Sequence, residues 1–106
     1  MTSRGRGESP VLERRTVSRK TPGDGKLEIT AAAAAALEPL GSRFPAAVDA
    51  RVGEARLGTM PCTCRGADRP HVHHFVESDL FRALSPGTEV DVVLDAAGGR
   101  LLILTA

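Results

Sequence analysis

Residues 60–75 hold both cysteines of this 106-residue chain, Cys62 and Cys64, and all three of its histidines, His71, His73 and His74. No other stretch constrains the fold as much. Side chains alternate faces along a strand, so Cys62 and Cys64 point the same way, as do His71 and His73. Residues 65–70 between them are polar and include Gly66, Asp68 and Pro70, which suit a loop. The spacing predicts an antiparallel hairpin with a six-residue tip. In that register Cys64 faces His71, Cys62 faces His73, and Met60 faces Phe75 in a sulfur–aromatic contact. The other face carries Val72, His74 and Val76.

Thiolate and imidazole are the ligands zinc prefers, and two of each make a standard structural set. Cys62, Cys64, His71 and His73 are therefore the candidate metal ligands, with His74 or water completing the shell if only three of them reach the ion. Four side chains on a strand rectangle must lean inward to meet one ion at about 2.0–2.3 Å. The competing reading is two reduced thiols on a His-rich polar strand, and redox or copper handling is a third. A disulfide inside Cys-x-Cys is disfavoured, because alternation holds the two side chains near the upper limit for bridging.

The rest of the chain bounds the architecture. Its length suits one domain. Two cysteines and no apolar leader fit a reducing cytoplasm, and no stretch approaches membrane-spanning length. Charge is uneven. Residues 1–26 carry seven basic groups (Arg4, Arg6, Arg14, Arg15, Arg19, Lys20, Lys26) against three acidic ones, for +4, while residues 27–106 carry seven against ten, for −3. Residues 1–25 have few apolar side chains to offset ordering entropy, and the reading is a disordered basic arm, with Val11, Leu12 and Val17 able to add a short strand to the body's edge. Such an arm suits a polyanion, nucleic acid included, or an acidic protein partner, through Arg4, Arg6, Arg14, Arg15, Arg19 and Lys20.

Residues 26–106 read as the folded body. A short strand over 26–29 leads to Thr30, which caps a helix over 31–38 built on six alanines, and Pro39 ends it. Strands follow over 44–50 and 54–60, with a turn at 51–53. Ser78 caps a second short helix that sends Leu80, Phe81 and Leu84 into the core. After Ser85-Pro86-Gly87, residues 88–94 alternate, 95–99 turn, and 100–105 form the last strand. This gives about six strands and two short helices, a mainly β chain folded as a small β-barrel.

The run from Leu80 through Pro86-Gly87 to Val90-Asp91-Val92-Val93-Leu94, closing with Gly99-Arg100-Leu101-Leu102-Ile103, resembles the C-terminal module of AbrB-like swapped-hairpin proteins and of B3-type pseudobarrels. Over residues 27–104 the order helix, Pro-containing strand, Gly-containing hairpin, variable middle and helix–Pro-Gly–strand is most similar to the small domain of bacteriocin-protection (YdeI-like) proteins. The resemblance implies a pseudobarrel. AbrB-like and B3-like members bind DNA through basic loops or strands, and the YdeI-like domain has no settled activity. The Cys/His hairpin lies outside that family pattern.

Three functions follow from these residues. One is a binding module that touches nucleic acid through the basic arm. The second is a zinc protein built on the hairpin. The third is an accessory subunit whose arm threads along a larger partner. An enzyme would need a thiolate at Cys64 depressed by His71, yet no third orienting residue, phosphate loop, carboxylate pair or dinucleotide fingerprint accompanies it.

Overall fold

The computed structural model describes residues 10–62 and 72–106. Among the described residues, seven strands form one sheet: β1 (Val11–Thr16), β2 (Lys26–Ile29), β3 (Arg43–Val48), β4 (Arg51–Pro61), β5 (Val72–Glu77), β6 (Glu89–Asp95) and β7 (Arg100–Thr105). Their order is β1-β6-β7-β3-β4-β5-β2, curled into a nearly closed barrel. Two short helices, α1 (Lys20–Asp24) and α2 (Ala31–Leu37), and 3-10 turns at Glu38–Leu40 and Asp79–Ala83 complete the chain. The mainly β barrel expected from the sequence is present, with one strand more than the six anticipated.

The extra strand is β1, so order begins well before residue 26. It pairs antiparallel with β6 from Val11↔Val93 to Thr16↔Glu89, with a bulge between Val11 and Glu13. The following Val17 is buried, its amide bonded to the Thr88 carbonyl at 2.8 Å and its carbonyl to the Gly87 amide at 2.8 Å. The segment's own apolar content is low, but the edge of β6 offers it a ladder and a core position. Over 10–25 the expectation of a disordered arm is therefore corrected, while the short edge strand that Val11 and Leu12 could add is present.

The core is aliphatic with two phenylalanines. Phe44, Phe81, Leu27, Leu37, Leu101 and Ile103 are fully enclosed. The alanines of α2 let the helix lie close against the barrel, with Ala33, Ala34 and Leu37 buried. Thr30 caps it as expected, its hydroxyl accepting from the Ala33 amide at 3.1 Å. That hydroxyl also donates to Glu13 on β1, whose carboxylate accepts the Thr30 amide at 3.2 Å. Since β1 and β2 are the two margins of the sheet, this carboxylate bridges a seam where no ladder is formed. Ser78 caps the second turn, accepting from the Leu80 amide at 3.2 Å and donating to the Glu54 carbonyl at 2.8 Å.

Two local expectations are displaced. The β3–β4 turn is at Asp49 and Ala50, not at 51–53. Asp49 adopts φ 52°, which Asp tolerates better than most residues, and its carboxylate accepts the Thr105 amide at 3.0 Å and hydroxyl at 2.7 Å. Gly53 instead lies inside β4, where a Cβ would meet the Leu80 side chain at 3.0 Å. The Cys/His hairpin is also shifted. Gly58 faces Phe75, Met60 faces His73 and Pro61 faces Val72, a slip of two residues from the predicted register. A two-residue slip keeps every side chain on its predicted face. Gly58 fixes it: a Cβ there would come 2.5 Å from two ring carbons of Phe75, so the ring needs a glycine opposite. Among the described residues the ladder ends at the Pro61↔Val72 pair.

Candidate functional site

The hairpin's outer face continues across β2. Pairing of Glu28 with Phe75, and of Met60 with His73, puts these four side chains on one side, with Lys26 beside them. Val76, fully buried, and His74 turn to the other side, as the alternation predicted. Only one of the two adjacent histidines thus belongs to the outer face. Glu28 holds it: His73 Nδ1 lies 2.7 Å from Glu28 Oε2. A carboxylate on Nδ1 sets the ring orientation and directs any coordination by this imidazole to Nε2.

Cys62 follows directly after the ladder, half-buried and disulfide-bonded. The expectation of free thiols is corrected at this position. Its premise was strand alternation through Cys62, and the strand ends at Pro61. The other cysteine, Cys64, and His71 lie outside the described residues, as do Arg4 and Arg6. The predicted facing of Cys62 with His73 is replaced by Met60 with His73. Among the described residues no group of three or more His, Cys, Asp or Glu side chains is placed to hold a metal ion.

Beside this face is a groove of about 270 Å³ between the α1 segment and β5. It is lined by Ser18, Lys20 and Asp24 from the α1 segment, Lys26 and Glu28 from β2, Met60 from β4, and His73, His74 and Phe75 from β5. Lys26 Nζ sits 4.8 Å from the centre of the Phe75 ring, a cation–π contact. Sequence reasoning missed Lys26, Glu28 and Phe75 as site residues. Their signal was present in the alternation of Lys26 and Glu28 on the polar side of β2, but their nearness to the histidine strand comes from sheet order.

The basic residues of the N-terminal segment divide into two sets. Arg14 binds Asp91 at 2.9 Å and approaches Glu89 at 3.6 Å, and Arg15 approaches Glu13 at 3.6 Å. The hydrogen bond from Arg14 holds the Asp91 carboxyl below its ordinary range, and Asp91 in turn raises Arg14. Arg19 and Lys20 take part in no ion pair among the described residues, and neither does Lys26. On the barrel wall a second, shallower depression is lined by the exposed pairs Arg43–Glu54 at 3.4 Å and Arg56–Glu77 at 2.8 Å. Such exposed pairs contribute little to stability.

No helix among the described residues is long and apolar enough to cross a membrane. Comparison with known protein families, with curated proteins and with solved structures finds no match for this chain, so its likeness to the YdeI-like domain rests on the residues quoted for it.

Proposed function

We propose that this chain is a small β-barrel binding module whose reduced form takes up zinc at the β4–β5 hairpin. Cys62 and His73 are the described residues proposed as ligands, and Cys64 and His71 are the residues from which the shell is completed, while His74, on the opposite face, is withdrawn from the set. The observation that carries this reading is the Glu28–His73 contact at 2.7 Å, the arrangement that orients a metal-bound imidazole. A disulfide at Cys62 withholds that sulfur, so metal uptake requires reduction. Bound zinc would act structurally and staple the two strands beyond Pro61. Elemental analysis of untagged protein, reduced and exchanged under argon, tests it. About one zinc per chain is expected, and absence of stoichiometric zinc, copper or iron in the reduced protein overturns the reading. Glu28→Gln should weaken uptake by about 10–100-fold.

A second reading is favoured by the ion pairing. Arg19 and Lys20, unpaired, are the groups through which the N-terminal segment would touch a polyanion or acidic partner, together with Arg4 and Arg6. Arg14 and Arg15 are engaged with acids of this chain. Two phosphate contacts on duplex DNA give a salt slope of about −1.8, four about −3.6. A slope unchanged by Arg19→Ala with Lys20→Ala would remove this reading.

A further inference from the structure

The groove between α1 and β5 brings Ser18, Lys26 and Phe75, which neither reading uses, together with Lys20, which the polyanion reading shares. Two ammonium groups, Lys20 and Lys26, border it without an ion-pair partner. Ser18 borders it too, its hydroxyl accepting the Lys20 amide at 3.3 Å and lying 3.3 Å from the Thr21 hydroxyl. Most arginines of the described barrel are paired: Arg14, Arg15, Arg43, Arg56, Arg82 and Arg100 each meet a carboxylate. Of the four described cations in no ion pair, Lys20 and Lys26 border the groove, Arg19 is next in sequence to Lys20, and Arg51 stands apart at the start of β4. Met60 and Phe75 give the groove's lining an apolar part, which includes an aromatic ring on the outside of the barrel. Phe75 is half-buried there, held over Gly58, and in contact with the Lys26 ammonium.

We propose that this groove binds a nucleoside monophosphate unit, independently of metal. The phosphate lies between Lys20 and Lys26 and accepts from Ser18. The base lies on Phe75 and Met60. Lys26 leaves the ring face when the phosphate arrives, and the base takes its place, so one π-surface serves the cation in the empty groove and the base in the filled one. Asp24 and Glu28, also on the rim, accept hydrogen bonds from an exocyclic amino group and repel additional negative charge. They favour an amino-bearing base over uracil and a monophosphate over a polyphosphate. The volume, about 270 Å³, is near the lower end of ligand pockets, about 300 Å³, and leaves room for one such unit.

The same chemistry is offered by a free nucleotide and by one residue of a single-stranded nucleic acid, and titration separates them. Calorimetry on the full chain, with the disulfide intact and EDTA present, uses AMP, UMP, inorganic phosphate and a short oligodeoxyadenylate. The proposal expects saturable one-to-one binding of AMP, about tenfold tighter than inorganic phosphate, the low end of what a base–aromatic stack contributes. UMP should bind more weakly than AMP. Lys20→Gln and Lys26→Gln should each weaken AMP about five- to tenfold, with no effect from Arg14→Gln. Equal affinity for AMP and for the oligomer per site identifies the free nucleotide as the ligand. A tighter oligomer that AMP displaces identifies a nucleic acid strand. No saturation by either at millimolar concentration overturns the proposal. Affinity for inorganic phosphate equal to that for AMP overturns it too, as does indifference to both lysine changes. Because zinc is absent and duplex is not used, failure here leaves the metal and polyanion readings to their own tests.

Discussion

Replacing Gly58 by alanine tests why the hairpin has the register it has. A Cβ at this position would lie 2.5 Å from Cε1 and Cζ of Phe75, so the ring must swing away. Moving it uncovers on the order of 50 Å² of apolar surface, which at about 25 cal/mol/Å² costs about 1.3 kcal/mol. Loss of the Lys26 contact adds about 0.5 kcal/mol. Against this, alanine in a strand is better than glycine by about 0.5–1 kcal/mol. The net cost is about 1 kcal/mol, which for a domain of this size lowers Tm by about 4–8 °C. With Phe75→Ala in place the clash is gone, and Gly58→Ala should then stabilise by about 0.5–1 kcal/mol. The sign reversal gives a coupling energy of about 2 kcal/mol, within the range for residues in contact. The chain has no Trp or Tyr, so urea unfolding is followed by far-UV circular dichroism. Equal destabilisation in both backgrounds refutes the argument, because Gly58 would then be required for something other than the ring. In the register read from the sequence, Met60 rather than Gly58 would oppose Phe75, and no coupling would exist.

Two further outcomes follow from hydrogen bonds distant from the hairpin. Thr30→Ala removes both the α2 cap and the hydroxyl held by Glu13, and should cost about 1–2 kcal/mol in urea unfolding, with Thr30→Ser restoring most of it. Amide hydrogen exchange should quicken in β1 beyond the rest of the sheet, and uniform quickening would refute the seam. The Thr105 amide, then its hydroxyl, lower the Asp49 pKa from its ordinary value of 3.8. A depressed folded-state pKa contributes stability above the unfolded value and loses it as pH falls through the folded one. Asp49→Asn, which still tolerates the positive φ, should therefore be less stable than the parent at neutral pH. The gap should close as pH is taken below about 3.8, and a gap that widens in acid would contradict the assignment.

Much of the barrel was legible in the sequence because its signals are local. Glu89, Val90, Asp91 and Val92 alternate, so β6 could be read directly, while β7, Arg100-Leu101-Leu102-Ile103-Leu104-Thr105, read as a strand from its apolar run after the turn at 95–99. Thr30 and Ser78 announced the starts of their helical turns. What escaped depended on partners far along the chain. β1 is ordered by β6, and Glu13 and Thr30 are 17 positions apart. The turn at Asp49 is fixed from Thr105, 56 positions away, while Gly53, the residue that reads as a turn, makes room for Leu80. In the candidate site, the faces of His73 and His74 followed from alternation alone. The slip to Met60↔His73 did not, since it depends on how a ring fits over Gly58. The contributions of Glu28, Lys26 and Ser18 needed the sheet order that brings β2 beside β5.

The position of β7 also has a consequence for a chain cut short. It lies between β6 and β3, antiparallel to one and parallel to the other, although it is synthesised after both. Without residues 100–105 the strand order leaves two fragments, β1 with β6 and β3 with β4, β5 and β2, with no ladder between them. Leu101 and Ile103, both fully buried, are the side chains of the strand that joins them. A chain shortened by its last strand would therefore lose the middle of its sheet, and proteases would meet an open sheet rather than a frayed end.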